Sequence, residues 1–486
     1  MIKTLLASVL WALALLTYSL MPMRVGSVPV MPAKAKYNVL FIISDDLRPT
    51  LGCYGNTIIK TPNIDSLAAH GVRFDHAYAQ YPLCNPSRTS LLTGRYPTQT
   101  GVLDNNVYFR IKHPDYITLP QYFKANGYAS LRTGKVFHGG IDDMVSWTEG
   151  GEPTNPAITD RGTARPAAAA ERDPDDASNT ASRSAAGAAR ASASDRIVVL
   201  EGDGESYGDY KTASRAVQYL EKYKDQAFFL SVGFVKPHSP PTAPKKFFDL
   251  YDPAKIPLPP DFATRPTKPP GFPEISIPKR NADLFIGRDA SPTEAREMIR
   301  AYYASVSFVD EQVGRVLNTL DRLKLRDNTI IVFWGDHGYH LGEKGKWSKA
   351  NSLFEVGLRV PLIISLPGAK AEVSERPVQL LDMYPTLAEL CGLRRPVDNE
   401  GHSLVSLLRN PQAKWSYPAY SVTLFQGKLG KSVRTGDWHY VEWDDGREGA
   451  MLFDQSKDSL ELRNLAADPA YAKTVQEMKR LLKQMP

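Results

Sequence analysis

Apolar, β-rich runs along the chain each end in a polar or charged residue. They span residues 37–43, 128–131, 228–232 and 329–333. Between them lie helical patterns, such as residues 302–323, where apolar side chains recur at helical spacing: Val306, Val309, Val313, Val316, Leu317 and Leu320. Alternating strands and helices predict an α/β fold with a largely parallel sheet that is covered by helices on both faces.

The residues that directly follow these runs are the first candidates for a functional site. They are Asp45, Asp46, Lys135, His138, Lys236, His238, Asp336 and His337. Ligands of open α/β sheets bind beyond the carboxyl ends of the strands. We therefore expect these side chains to meet at one edge of the sheet, although a single lysine or histidine in such a position is more often an ordinary loop residue.

Two segments depart from the alternation. Residues 157–194 are rich in Ala, Arg, Ser and Asp and contain no aromatic residue. A helix can form there, but the composition favours an insertion that buries little apolar surface. Residues 251–291 are crowded with proline, which predicts an extended surface loop.

The composition changes again at residues 391–399. Beyond this point, short strands are expected at residues 416–423, 431–435 and 438–443, followed by a closing helix at residues 470–482. We predict a catalytic domain at residues 36–390, which contains the 157–194 insertion, and a C-terminal α+β subdomain at residues 391–486. The subdomain should consist of a small antiparallel sheet and one helix.

The N-terminal residues 1–35 resemble a signal peptide. Lys3 precedes an apolar run at residues 5–16, and Ala33-Lys34-Ala35 offers a cleavage site. An uncleaved signal anchor is the alternative. The rest of the chain contains no apolar stretch long enough to span a bilayer, so we expect no integral membrane domain in the mature protein, which would be periplasmic or secreted.

Composition limits the classes of partner. The chain has 486 residues and a formal net charge of +6, which is too mild over this length to indicate nucleic acid. A basic site for acidic sugars fits this charge, as does an ordinary solvated surface. Three cysteines, Cys53, Cys84 and Cys391, are too few for a disulfide scaffold in an exported enzyme. Only Cys84 has unusual neighbours.

The acidic pairs at the strand ends indicate a cation. Adjacent carboxylates such as Asp45 and Asp46 repel each other unless a cation or a hydrogen-bond donor lies between them. A solvated turn is the other interpretation of this pair. Asp336 and His337 repeat the arrangement at another strand. Oxygen ligands favour Ca²⁺ or Mg²⁺ over Zn²⁺, whereas His337 is a softer ligand than either of these ions prefers.

The segment around Cys84 predicts a site for an anion. Pro86 suits the first turn of a helix, which would place Cys84 just before the helix N-terminus. Backbone N–H groups and the helix dipole attract anions at that position, and Arg88 adds a fixed positive charge. A buried structural cysteine in a loop is the alternative.

These residues resemble the signature of type I sulfatases, the formylglycine-dependent family. The matching segments are Cys84-Asn85-Pro86-Ser87-Arg88 and Leu92-Thr93-Gly94-Arg95, together with Asp45-Asp46 upstream and Asp336-His337-Gly338 downstream. The resemblance implies an alkaline-phosphatase-like fold, with a large mixed, mostly parallel sheet between helices and a smaller C-terminal antiparallel sheet with a helix. It also implies that Cys84 is oxidised to formylglycine.

Within this family, further segments resemble the iduronate 2-sulfatase-like members. They are residues 45–49, 51–55, 134–138, 236–238 and 341–343, and residues 303–308, where we attribute the resemblance to packing. The implied substrate is the 2-O-sulfate of uronate residues in glycosaminoglycan-derived saccharides. The 157–194 insertion lies where a substrate-facing loop is expected, and the paired cysteines of the vertebrate-type enzyme are missing. The sugar preference therefore stays open.

The family mechanism assigns a role to each matching residue. A Ca²⁺ ion, or Mg²⁺, would be held by Asp45, Asp46, Cys84 in its modified form, Asp336 and His337. Arg88, Lys135 and Lys349 would contact the anionic ester. His238 or Lys349 would protonate the leaving alcohol, and His138 would help to release sulfate. Lys344 and Lys346 crowd the same loop as Lys349, so the assignment of Lys349 is the least specific.

The resemblance also names partners and leaves alternatives. The expected partners are a sulfated saccharide and a maturation enzyme, either a formylglycine-generating enzyme or an anaerobic sulfatase-maturating enzyme. An alternative substrate is another sulfated polysaccharide, an alkyl or aryl sulfate, or a phosphonate monoester. An inactive saccharide-binding protein with an unmodified cysteine is a third hypothesis.

Overall fold

The computed structural model describes residues 36–154 and 195–486. The expected signal peptide at residues 1–35 and the insertion at residues 157–194 lie outside the described residues, and both stay predictions. Within the two described ranges, no helix combines the length and the apolar character required to cross a membrane.

The strands and helices follow one another in alternation over most of the chain. The strands are β1 (Asn38–Asp45), β2 (Val72–Tyr78), β3 (Ala129–Gly134), β4 (Val198–Leu200), β5 (Phe228–Pro237), β6 (Thr242–Pro244), β7 (Thr329–Gly335), β8 (Arg359–Ser365), β9 (Glu372–Ser374), β10 (Val378–Gln379), β11 (Ala419–Phe425), β12 (Lys428–Arg434), β13 (Trp438–Trp443) and β14 (Ala450–Asp454). The helices are α1 (Pro62–Ala68), α2 (Cys84–Thr93), α3 (Pro97–Thr100), α4 (Phe109–Lys112), α5 (Leu119–Ala125), α6 (Gly208–Tyr223), α7 (Lys245–Phe248), α8 (Pro292–Arg322), α9 (Glu355–Leu358), α10 (Met383–Leu390), α11 (Val405–Arg409) and α12 (Ala472–Leu482).

The large sheet is mixed and mostly parallel, as predicted. Within the described residues it has eight strands in the order β10-β2-β8-β7-β1-β5-β3, with β9 paired to β2. Strands β7, β1, β5 and β3 are parallel neighbours, and β8 is antiparallel to both β7 and β2. The four parallel strands are those that carry the candidate residues at their carboxyl ends.

Both faces of this sheet are covered, which explains the continuous apolar runs of the central strands β1 and β7. Along β1, Leu40 and Ile42 face a core that α6 and α8 complete. Phe41 and its alternate neighbours Val39 and Ile43 face a second core built with α2, α5 and α10. Because successive side chains of a strand point to opposite faces, one apolar run serves both cores.

The central helix α8 begins ten residues before the predicted start at residue 302. Ser291 and Glu294 form a capping box, and Pro292 occupies the first turn, where its missing N–H is harmless. The apolar repeat becomes continuous only later in the helix, so periodicity alone missed the first turns. The capping residues Ser291 and Glu294, with Pro292 between them, are a helix-start pattern that can be recognised in the sequence.

The proline-rich segment is extended, as predicted, but it is not confined to the surface. Residues 251–291 contain the 3-10 turns Pro253–Lys255 and Glu274–Ser276, and Phe262 forms an isolated bridge with Glu343. Phe272 and Ile275 pack against residues of the C-terminal sheet. Apolar residues between the prolines bury this segment, which a prediction based on proline content alone does not anticipate.

The C-terminal part contains the predicted antiparallel sheet and helix. Strands β11, β12, β13 and β14 pair in sequence order, and β14 is the strand that the sequence analysis missed. One face of this sheet packs on α12 through Met478 and Leu482. The opposite face, which includes Trp443, packs against Leu353 and Phe354 of the preceding part of the chain.

Candidate active site

The carboxyl ends of β1 and β7 bring the two acidic pairs together. Ser44 is in register with Gly335, so the residues that follow these two positions leave the sheet side by side. The backbone N–H of Asp46 donates to Asp336 Oδ1 at 3.1 Å. All four side chains of the two pairs are buried. The solvated-turn interpretation of Asp45 and Asp46 is therefore wrong.

Cys84 lies within this acidic cluster. Its Sγ is 3.2 Å from Asp45 Oδ1 and 3.2 Å from His337 Nε2. Cys84 is the first residue of α2. The predicted position, just before the helix N-terminus, is occupied by Leu83. Ser87 Oγ donates to the Asp336 carbonyl at 2.5 Å, which fixes the first turn of α2 against the end of β7.

The donor set fits a hard divalent cation. One ligand atom each from Asp45, Cys84, Asp336 and His337 lies within 4.8 Å of the others. Asp46 Oδ1 is buried, has no hydrogen-bond partner and lies 3.5 Å from His337 Nε2. A buried carboxylate oxygen without a partner is costly, and a cation would satisfy it. His337 Nδ1 lies 3.0 Å from the Gly338 carbonyl, which can accept a hydrogen bond from it, and Nε2 faces the carboxylates of the cluster.

Arg88 connects the cluster to the end of β3. Its Nε donates to Asp336 Oδ2 at 2.8 Å, and Nη2 lies 3.2 Å from Asp45 Oδ1. Its Nη1 donates to the carbonyls of Lys135 and Val136 at 2.6 and 3.0 Å. The side chain is fully buried. Arg88 therefore links the carboxyl ends of β1, β3 and β7.

Two lysines lie at the same cluster, which is not the usual environment of a loop lysine. Lys135 Nζ is 2.5 Å from Asp45 Oδ2 and 3.9 Å from Cys84 Sγ. Lys349 is fully buried, and its Nζ donates to Asp46 Oδ2 at 2.9 Å. The other lysines of that loop point elsewhere, since Lys344 pairs with Asp261 and Lys346 contacts the carbonyl of Ala350. The position of Lys349 in the site is thereby distinguished from that of its neighbours.

The charges of the site balance before any ligand is added. The carboxylates are those of Asp45, Asp46 and Asp336, and the paired cations are Arg88, Lys135 and Lys349. A divalent cation would make the site strongly positive. A buried positive site of this kind attracts an anionic group, and sulfate esters are anionic.

Burial and neighbouring charges set the protonation of the site. Burial alone would raise the pKa of Asp45, but Lys135 and Arg88 hold that pKa well below its usual value. Burial raises the pKa of Asp46 to about 6, with Lys349 opposing the rise. Burial and the nearby Asp45 raise the pKa of the Cys84 thiol well above its usual value. An unmodified Cys84 would thus be a protonated thiol and a poor nucleophile.

The two candidate histidines, His238 and His138, are both buried. One ligand atom each from His238, Asp46 and Cys84 lies within 4.8 Å of the others. His238 Nδ1 lies 2.7 Å from the Ser239 carbonyl, which leaves Nε2 for the site. His138 follows Lys135 by three residues and is 5 % exposed, and its carbonyl accepts a hydrogen bond from the Ile141 N–H at 3.0 Å.

Sequence reasoning missed Asp209, which together with Lys236 holds the segment of His238 in place. The carboxylate of Asp209, near the start of α6, accepts hydrogen bonds from the backbone N–H groups of Val235 and Lys236 at 2.8 and 2.9 Å. Lys236 Nζ donates to the carbonyl of His238 and, at 2.9 Å, to that of Pro240. Lys236 is part of a segment that the sequence analysis singled out, but nothing in the sequence connects Asp209 to it.

Comparison with known families agrees with this geometry. Residues 37–393 match the Sulfatase family, and residues 342–486 match the family described as N-sulphoglucosamine sulphohydrolase, C-terminal. The chain is 35% identical to iduronate 2-sulfatase of Homo sapiens over 487 aligned positions, which cover 84% of each chain.

Solved structures extend the comparison to the fold. One, in complex with its substrate D-glucosamine-2-N,6-O-disulfate, superposes with a TM-score of 0.70 at 23% identity and covers 92% of this chain and 97% of that chain. Another, a 2-O GAG sulfatase, has a TM-score of 0.64 at 25% identity and covers 92% and 91%. The fold is the alkaline-phosphatase-like fold of these proteins. The chain belongs to the sulfatase family and is a sulfate ester hydrolase.

Proposed function

We propose that this sulfatase removes 2-O-sulfate from uronate residues of glycosaminoglycan-derived or related sulfated saccharides, with formylglycine at position 84 as nucleophile. The observation that carries the proposal is the burial of Cys84 among Asp45, His337 and Lys135, where burial and the nearby Asp45 raise the pKa of an unmodified thiol. A thiol in this form is a weak nucleophile, so the unmodified side chain does not explain the site. An aldehyde does, because its hydrate offers two hydroxyl groups at the same point.

The first step would be attack on sulfur. One hydroxyl of the hydrated aldehyde at position 84 gives its proton to the neighbouring Asp45 carboxylate, and its oxygen forms a bond to sulfur while the bond from sulfur to the alcohol oxygen breaks. Arg88 and Lys135 contact the sulfuryl oxygens, whose negative charge increases in the transition state. Lys349 Nζ donates to Asp46 Oδ2, and a ring nitrogen of His238 lies within 4.8 Å of an Asp46 carboxylate oxygen, so either residue can give the leaving alcohol its proton.

The second step would release sulfate without water attacking sulfur. His138 takes the proton of the remaining hydroxyl group, the carbon–oxygen double bond reforms, and the bond from carbon to the sulfate oxygen breaks. The aldehyde is thereby regenerated for the next turnover. The buried position of His138 next to the Lys135 segment supports this role.

The proposed cation is Ca²⁺, with Mg²⁺ as the other ion that this chemistry suits. Asp45, Asp46, Asp336, His337 and the modified residue 84 would hold it. Carboxylate oxygens are the preferred ligands of both ions, and the unpartnered Asp46 oxygen is buried among them. When bound, such a cation polarises the ester and lowers the cost of the negative charge that develops on it.

The substrate class is supported by the names of similar proteins. One relative is named for iduronate 2-sulfate and a similar structure for a 2-O glycosaminoglycan sulfate. The alternatives are another sulfated polysaccharide, an alkyl or aryl sulfate, or a phosphonate monoester. The chemistry at position 84 is the same for all of these substrates. The residues that contact the rest of the substrate, beyond the sulfate group, therefore determine which of them is hydrolysed.

The proposal includes export, maturation and a division into domains. A cleaved signal peptide at residues 1–35 would direct the chain to the periplasm or the exterior, and a formylglycine-generating or anaerobic sulfatase-maturating enzyme would oxidise Cys84. The catalytic domain would span residues 36–390 and the subdomain residues 391–486. The change from the large sheet to the antiparallel strands β11–β14 supports this division.

A substrate panel tests the proposal. The protein, co-expressed with a maturation enzyme, is assayed for sulfate release from disaccharides with 2-O-sulfated uronate, from disaccharides sulfated at other positions, and from aryl sulfates. We expect the highest kcat/KM on the 2-O-sulfated uronate. Cys84→Ala should abolish turnover, whereas Cys391→Ala, at a half-buried cysteine far along the chain, should retain it. Turnover of aryl sulfates alone would contradict the uronate assignment.

A further inference from the structure

The backbone of Asp46 is held in a conformation that non-glycine residues seldom adopt. Its φ is +60°, in the left-handed region. This conformation is unfavourable for a non-glycine residue and persists only where surrounding contacts impose it. It turns the chain at the end of β1 so that the carboxylate of Asp46, as well as that of Asp45, points into the site. Some group must therefore hold this turn.

The hydroxyl of Tyr302 makes the hydrogen bonds that hold it. Tyr302 lies in the middle of α8 and is buried. Its hydroxyl donates to the Asp46 carbonyl at 2.8 Å and accepts a hydrogen bond from the Arg48 N–H at 3.1 Å. One side-chain oxygen thus ties together the two ends of the turn. Burial raises the pKa of Tyr302, so the hydroxyl keeps the proton that it donates.

Further contacts fix Arg48 and the ring of Tyr302. Arg48 Nη1 forms an ion pair with Glu343 Oε1 at 2.6 Å, and Glu343 Oε2 accepts a hydrogen bond from the Leu341 N–H at 2.7 Å. The rings of Tyr302 and Tyr339 stack with centroids 6.1 Å apart. The turn after Asp46, the middle of α8 and the loop after His337 are in this way joined into one rigid frame.

The neighbouring residue Tyr303 provides a contrast. It lies on the same helix and is also buried, but its hydroxyl accepts a hydrogen bond from Asn56 Nδ2 at 3.3 Å and does not contact the turn. Of these two adjacent buried tyrosines, Tyr302 is the one whose hydroxyl is hydrogen-bonded to the Asp46 carbonyl.

We infer that Tyr302 is a positioning residue for cation binding, because its hydroxyl holds the strained Asp46 turn with the carboxylate directed into the site. The inference rests on the proposed cation site. It assigns a role in the site to a helix whose sequence pattern indicated packing alone.

Isothermal titration of the full chain with Ca²⁺ alone, after maturation of Cys84 so that every proposed ligand is present, tests the inference, and it requires no turnover. Loss of one buried hydrogen-bonding group is expected to raise the Kd of Tyr302→Phe for Ca²⁺ about five- to tenfold. The matched control Tyr303→Phe should stay within about twofold of wild type. On the matured enzyme, Tyr302→Phe should require more Ca²⁺ for half-maximal activity but recover its kcat at saturating Ca²⁺.

The outcomes separate this inference from the proposed function. A folded Tyr302→Phe variant with the Kd of wild type would overturn the inference and leave the cation site standing. Absence of Ca²⁺ and Mg²⁺ binding to wild type would overturn both. If Tyr302→Phe does not fold, Glu343→Gln, which weakens the hold on Arg48, replaces it. An unchanged Kd in that variant would also overturn the inference.

Discussion

Replacement of Arg88 by lysine tests how the cluster is held together. The guanidinium makes four contacts from a fully buried position, namely two with the carboxylates of Asp45 and Asp336 and two with the carbonyls of Lys135 and Val136. The ammonium group of lysine keeps the positive charge, but it is compact and sits at the end of a flexible four-carbon chain. It cannot hydrogen-bond to partners on three different elements at once.

The expected loss of stability follows from these contacts. Hydrogen bonds to charged groups contribute about 1.5–3 kcal/mol each, and we expect lysine to lose at least two of the three hydrogen bonds that Arg88 donates. The free energy of unfolding should therefore fall by about 3 kcal/mol. This value is close to the cost of about 3–5 kcal/mol for breaking a buried ion pair, as expected if the remaining carboxylates are left partly uncompensated.

Urea unfolding monitored by circular dichroism measures this change. The titration is carried out in the presence of a chelator, so that cation binding to the folded state does not contribute. The control is Arg447→Lys, whose guanidinium pairs with Asp444 at 2.6 Å from a side chain that is 68% exposed, and which should cause no resolvable change. The reasoning would be refuted by an Arg88→Lys midpoint equal to that of wild type.

Two further predictions concern the loop that carries three lysines. Lys349→Met should lower kcat/KM about 10²-fold because it removes a cation from the site. The control Lys344→Met breaks the ion pair with Asp261 and should change stability more than turnover. Equal losses of activity in the two variants would argue against the placement of Lys349 in the site. Lys346 is buried, has no described carboxylate partner, and burial lowers its pKa to about 7. Between pH 7 and its unfolded pKa of 10.5, Lys346 holds a proton more often in the unfolded chain than in the folded chain, so it should contribute about 2 kcal/mol to the rise in stability from pH 7 to pH 9. Lys236, whose pKa burial lowers to about 8, contributes to this rise in both proteins, so in urea unfolding the rise should be smaller by about 2 kcal/mol in Lys346→Met than in wild type.

Much of the fold was predictable because burial leaves a periodic trace in the sequence. The β1 run is continuously apolar since both of its faces are covered, and the regular spacing in α8 reflects one buried side of that helix. Elements without such a trace were missed. Strand β14 is short, and the start of α8 was marked by a capping box and not by periodicity.

The site was predictable to the extent that its residues follow strands. Asp45 and Asp336 could be brought together because the carboxyl ends of parallel neighbours meet at one edge of a sheet. The supporting residues could not. Asp209 and Tyr302 act from helices distant in sequence, through hydrogen bonds to backbone groups, and such contacts depend on the final packing and leave no motif.

The mass of the peptide that contains residue 84 tests the central claim most directly. The protein is purified after co-expression with a maturation enzyme, shown to release sulfate, digested and measured by mass spectrometry. The account predicts a peptide in which the CH₂SH side chain of cysteine has been replaced by an aldehyde, together with reaction of that peptide with a hydrazide. A sulfate-releasing preparation in which residue 84 is entirely unmodified cysteine would contradict it.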